Sequence, residues 1–166
     1  MEKLIGIVNA KTVAQNIDNI NYALPFDNVT KVADNLIYHY LQTNSPSTIQ
    51  KLLFGMRCFT DNYTSVFKET EHGTTVELHS KLNVDTVELN SVANKLGVMV
   101  NDKVVGASLT RGESTTEYNF ITAYQALEFA LVVRAGDTIS LKLERSGEIV
   151  ESNARVITSS NFTNVA

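Results

Sequence analysis

The chain has 166 residues, a net charge of −4, 43% hydrophobic and 19% charged residues. That length holds one ordinary domain, or a small domain with part of another. The composition is that of a globular protein, the acidic balance with no Lys/Arg cluster excludes a nucleic-acid binder, and no apolar run is long enough to span a bilayer. Cys58 is the one cysteine, which excludes an intrachain disulfide and a thiolate cage. His39, His72 and His79 are widely separated, although His72 and His79 bracket an expected strand; a zinc site could use them, but solvated or packed histidines are the commoner outcome. No metal or other cofactor is expected.

Leu4–Val8 and Ile20–Leu24 are apolar runs of strand length, with a polar turn region from Asn9 to Asn19 between them. Pro25 cannot donate to a sheet ladder and closes the second run. Asp27 is placed to cap a helix, in which Phe26, Val29, Val32, Ala33, Leu36, Ile37 and Tyr40 form an apolar stripe. The stretch from Gln42 to Thr48 carries no stripe and reads as linker, so a domain boundary is expected near residue 45.

Beyond it, Leu52–Phe59 and Thr74–Leu82 are expected strands, Ser91–Leu96 a short helix and Lys103–Leu109 another strand. A polar excursion from Thr110 to Asn119 follows. Tyr124, Leu127, Ala130 and Leu131 share a face of a helix over 122–133. Gly136-Asp137 turns the chain. Ile139, Leu141 and Leu143 then alternate as in a half-buried strand, and Ser146-Gly147 makes a hairpin turn into 148–157. Two helices among about five antiparallel strands make a compact α+β module. Residues 159–166 are expected to fray.

Several of these segments resemble, in order, the C-terminal part of an HtrA-like, trypsin-fold serine protease with its PDZ domain. Leu4-Ile5-Gly6-Ile7-Val8-Asn9 and Asn21-Tyr22-Ala23-Leu24-Pro25 stand where the family has its "viGin" and "GFAIP" strands. Phe54-Gly55-Met56 is similar to the family's carboxylate-binding loop. Leu96-Gly97-Val98-Met99-Val100-Asn101-Asp102 and Arg134-Ala135-Gly136-Asp137, followed by Arg145-Ser146-Gly147, resemble its "GLkpGD" and "kpGd…RdG" motifs. Asn101 replaces a glycine there, and asparagine is the best non-glycine residue for a left-handed turn.

The resemblance implies a PDZ-like, partly open antiparallel β-barrel or sandwich with two helices over 52–158. Before it would come a β-hairpin and helix left over from a trypsin-like barrel (1–44), then a linker (45–51). It implies a peptide groove with Leu53, Phe54, Gly55 and Met56 at the carboxylate end and Cys58, Tyr124, Leu127 and Leu131 along its walls. The expected partners are C-terminal or exposed hydrophobic peptide segments and a protease domain in cis. A self-association through strands orphaned from that barrel is also expected, and an extracytoplasmic or cell-envelope setting.

The family's nucleophile turn has no counterpart here, nor does a Gly-x-Ser-x-Gly elbow. The match begins about ten residues after that turn, so the chain is expected to start inside a longer gene and not to hydrolyse peptides itself. Its parent would be a serine endopeptidase. The alternatives are a truncated piece of an active extracytoplasmic protease and a structural, oligomer-forming module with a closed groove. His79, Asp85 and Ser91 occur in triad order but lack the surrounding turns, so chance explains them.

Overall fold

A computed structural model describes residues 6–14, 17–43 and 50–164. The protein is α+β, with three α-helices and mostly antiparallel strands among the described residues and no closed barrel. It divides into two compact units, residues 1–50 with 164–166, and residues 51–163.

In the first unit, strands β1 (Gly6–Ala14) and β2 (Ile17–Pro25) pair antiparallel from Gly6 opposite Pro25 to Ala14 opposite Ile17. The expected turn region from Asn9 to Asn19 is thus mostly strand, and the two strands pair as the expected hairpin, each with no further strand on its outer edge among the described residues. Residues 1–5 and 15–16, part of those expectations, lie outside the described residues. Helix α1 (Phe26–Thr43) begins directly at Phe26, so Asp27 lies within its first turn instead of capping it.

The apolar stripe of α1 is only partly covered: Val29, Val32, Ala33 and Leu36 are half-buried, while Ile37 and Tyr40 are exposed. A two-stranded ribbon offers too little surface to cover so wide a stripe. Asn35, which the hydrophobic pattern passes over, is buried, and its amide takes both main-chain groups of Gln50. Its Nδ2 donates to the Gln50 carbonyl (2.6 Å) and its Oδ1 accepts from the Gln50 N–H (3.1 Å).

The second unit is built on a branched sheet. Strand β3 (Gln50–Leu52) precedes it, and β4 (Met56–Thr60) forms its edge. The expected single strand over 52–59 is therefore two strands broken at 53–55. Strands β5 (Thr64–Thr70) and β6 (Gly73–His79) form a separate hairpin, and β7 (Leu82–Val87) returns to pair with β4. What reads in the sequence as one strand over 74–82 is two, divided at Ser80-Lys81.

Helix α2 (Val92–Leu96) is capped by Ser91, whose Oγ accepts from the Asn94 N–H at 3.1 Å, and it ends on Gly97. Strand β8 (Lys103–Arg111) pairs with β7 and then with β9 (Ser114–Asn119), which occupies the expected polar excursion. Helix α3 (Ala123–Val132) leads to the central strand β10 (Thr138–Arg145). On the far edge of β10 lie β11 (Glu148–Glu151) and β12 (Arg155–Val156). The segment expected to fray instead makes a turn of 3-10 helix and then β13 (Phe162–Asn164), which pairs with β3; residues 165–166 are outside the described set.

The core lies between this sheet and α2 and α3. Val84, Leu96, Leu109, Phe129, Ile139, Leu141 and Leu143 are all buried in it. Ile139, Leu141 and Leu143 sit at alternate positions of β10, as the two-residue period requires.

One device is used twice. Asp102 precedes β8 and Asp137 precedes β10, each following a residue with left-handed backbone, Asn101 (φ 71°) and Gly136 (φ 94°). Each carboxylate accepts the N–H three residues upstream: Met99 for Asp102 (2.8 Å) and Arg134 for Asp137 (2.7 Å). Each also takes a two-pronged guanidinium from the end of the other strand. Arg145 reaches Asp102 at 2.8 and 2.7 Å, and Arg111 reaches Asp137 at the same two distances. Because β8 and β10 run antiparallel, each strand's start is clasped by its neighbour's end.

Candidate functional site

Gly55 fixes the geometry of the 53–55 loop. Its φ is +68°, and a Cβ placed on it would lie 2.3 Å from the Ser91 Cβ. Only glycine fits this backbone at that distance. The loop's carbonyls are committed: the Phe54 carbonyl accepts from the Ala93 N–H (2.8 Å) and the Gly55 carbonyl from the Glu88 N–H (2.9 Å). The Leu53 N–H donates to the Asn161 carbonyl at 2.8 Å. The N–H groups of Phe54 and Gly55 have no hydrogen-bond partner among the described residues. The carbonyls of Phe54 and Gly55 are thus engaged while their N–H groups are not.

The strand that follows continues the pattern. Met56 lies opposite Val87, Cys58 opposite Val84 and Thr60 opposite Leu82. The flanking bonds, Glu88 N–H to the Gly55 carbonyl and Asp61 N–H to the Lys81 carbonyl, mark the first and last as non-hydrogen-bonded pairs. Val84 gives its N–H to Asp102 and its carbonyl to Asn101, so the Cys58 pair is of the same kind. The main-chain groups of Met56, Cys58 and Thr60 consequently point away from β7, toward the open edge. An extended segment laid there would find donors and acceptors at alternate residues.

Across from β4 stands α3, held in place from below and at its start. Phe129 packs edge-on against Tyr118 at 5.0 Å and tilted against Phe120 at 5.8 Å. Thr122 and Gln125 form a reciprocal capping box, and the buried Ser80 hydroxyl accepts the Ala123 N–H at 3.0 Å. Between α3 and β4 is a groove of about 690 Å³. Leu53, Phe54, Gly55, Met56, Cys58 and Leu127 line it, six of the eight positions expected from the sequence.

Tyr124 and Leu131 do not line it; Tyr124 is exposed and Leu131 half-buried. Beside Leu127 the helix presents Ala130, which belongs to the expected face, and Ala126, which does not. Alanine is a weak marker of an apolar face, so a reading weighted by large side chains turns this helix toward Tyr124 and Leu131. The groove floor, Leu82, Val104, Phe120, Phe129 and Leu141, also carries no sequence signal of a site, since these residues read simply as core.

The electrostatics are simple. Among the described residues Lys51 is the one charged residue lining the groove. Burial, then the charge of Asp85, pushes the Cys58 thiol above its ordinary range, which disfavours a thiolate there. Arg57 points elsewhere and pairs with Asp85 at 2.6 Å. The Glu88 carboxylate stands beside the loop, its Oε2 3.2 Å from where a Gly55 Cβ would be. A negative charge there opposes an incoming anion. Glu88→Gln is expected to tighten binding of a carboxylate-terminated peptide about threefold at low salt, with the gain shrinking at high ionic strength. Titrations at two salt concentrations check this.

The triad-ordered residues have separate partners. His79 contacts Glu77 at 3.2 Å, Asp85 holds Arg57, and Ser91 caps α2. Among the described residues no three His, Cys, Asp or Glu side chains gather as a metal site, and no helix is long and apolar enough to cross a membrane. No protein-family model and no curated protein sequence matches the chain.

Proposed function

We propose that residues 52–158 form a PDZ-type peptide-binding module, the substrate-recognition part of an HtrA-like serine protease. The catalytic machinery of that parent would lie in a domain linked in cis. An extended peptide adds to β4 as a further strand and its terminal carboxylate sits in the hollow of the 53–55 loop. The observation that carries this reading is the pair of unpartnered amides, Phe54 and Gly55, at the head of a groove whose other wall is α3. A closed structural module would have no reason to leave both amides unused beside an open edge.

The test is a fluorescence-anisotropy titration with a labelled peptide ending in two apolar residues, as free acid and as C-terminal amide. The acid is expected to bind saturably and the amide at least about tenfold more weakly, because the amide forfeits charge-assisted hydrogen bonds. Equal affinities would reject carboxylate capture. No binding of either at millimolar peptide would favour the structural, oligomer-forming alternative.

A further inference from the structure

We propose that the exposed side of α1 is a self-docking surface, on which a second copy of this chain lays its own α1 antiparallel about Ile37. The inference is independent of peptide capture and concerns the first unit alone. In that unit Asn35 and His39 are the only described side chains that are buried. Ile37 lies two residues from each of them, and Leu41 two residues beyond His39. Two residues are a step of about 200°, which puts Ile37 and Leu41 on the opposite side of the helix. They are 57% and 72% exposed, and Tyr40 beside them is 47% exposed. The helix thus covers a polar strip and turns a cluster of large apolar side chains outward, the mark of a surface that meets another protein.

The chemistry of this cluster matches a copy of itself. Ile37, Tyr40 and Leu41 carry no charge, and neither does Ala33, one turn before Ile37. Antiparallel pairing about Ile37 sets Ala33 against Leu41 of the second copy and Ile37 against its own counterpart. A small residue then faces a large one, and the same patch serves both partners. Asp34, exposed at the border, faces Tyr40 of the second copy and not another carboxylate. The three exposed side chains offer about 300 Å² per copy, less than half of what a standard interface takes from each partner. The helix pair by itself is therefore a weak dimer. The same unit leaves the outer edges of β1 and β2 without a further strand among the described residues. An open edge pairs with another open edge, and a second copy brings one.

The experiment is analytical ultracentrifugation of the full chain. It is expected to pass reversibly from monomer to dimer as its concentration rises from about 1 to 300 μM, as a weak interface does. Ile37→Glu and Leu41→Glu each put a charge into the pair, and each is expected to weaken dimerisation at least about tenfold. Both positions are exposed in the single chain, so the fold tolerates the change, which dispersed amide spectra check. Phe67→Glu is the control, because Phe67 is 70% exposed on the β5–β6 hairpin of the second unit and its replacement should leave the dimer unchanged. An equimolar mixture of Ile37→Glu and Ile37→Lys is expected to dimerise where neither does alone, since the pairing sets the two positions against each other. A monomer at every concentration, open-ended oligomers, or a dimer that Ile37→Glu and Leu41→Glu leave intact would overturn the proposal. No recovery in the mixture would overturn pairing about Ile37.

Discussion

Gly55→Ala is expected to abolish peptide binding and to destabilise the second unit by about 3 kcal/mol. Two costs combine. A left-handed backbone (φ +68°) disfavours any Cβ, by about 1 kcal/mol or more. The added methyl also meets the Ser91 Cβ at 2.3 Å, and that atom cannot rotate out of the way, which adds about 1–3 kcal/mol of overpacking. Relief requires the 53–55 loop to move away from Ser91, which breaks the Phe54–Ala93 and Gly55–Glu88 bonds and scatters the free amides. Urea denaturation measures the first effect and peptide titration the second. Ser91→Gly in the same background removes the clashing atom and is expected to restore part of the stability, although it forfeits the cap on α2. Wild-type stability in Gly55→Ala would show that the loop is not pinned as described.

The second large effect is expected from Arg145→Met. Asp102 is 1% exposed, and Arg145 supplies its counter-charge and two of its hydrogen bonds. The variant strands a buried carboxylate and is expected to lose about 3 kcal/mol at neutral pH. The loss has a pH signature. Burial pushes the Asp102 carboxyl up, but the Arg145 hydrogen bond, the Met99 N–H and the Arg145 charge together outweigh it and hold the group below its ordinary value of 3.8. A lowered folded pKa stabilises the fold above the unfolded value, and that stabilisation disappears as the pH falls through the folded one. The difference between wild type and Arg145→Met should accordingly be largest at pH 7 and shrink below about pH 4. Urea midpoints at pH 7 and pH 3 check this; a difference independent of pH would mean that the pair acts by packing alone.

The parts of this fold that the sequence discloses are those set by local chemistry. Ser91 before an apolar run, Asn101 and Gly136 at left-handed turns, and the strict alternation in 139–143 each determine their own element. Strands β5 and β9 stay hidden, because most of their residues are exposed and no apolar alternation marks them. The division of 74–82 at Ser80 depends on a bond to Ala123, 43 residues away, which no local pattern encodes. The clasps of Asp102 and Asp137 are equally non-local, although both aspartates stand in motifs visible in the sequence. At the groove, the loop is legible because glycine is rare and informative there. The helix wall is legible only in part: Leu127 and Ala130 fall on the expected face, while Ala126 is missed because a small side chain marks an apolar face weakly.

The most direct test of carboxylate capture is a two-dimensional amide NMR titration with a free-acid, apolar-ended peptide. The amide protons of Phe54, Gly55 and Met56 are expected to move most and downfield, with smaller shifts along β4 and at Leu127. Saturable binding that leaves the Phe54 and Gly55 amides in place, while shifting residues elsewhere, would contradict the account.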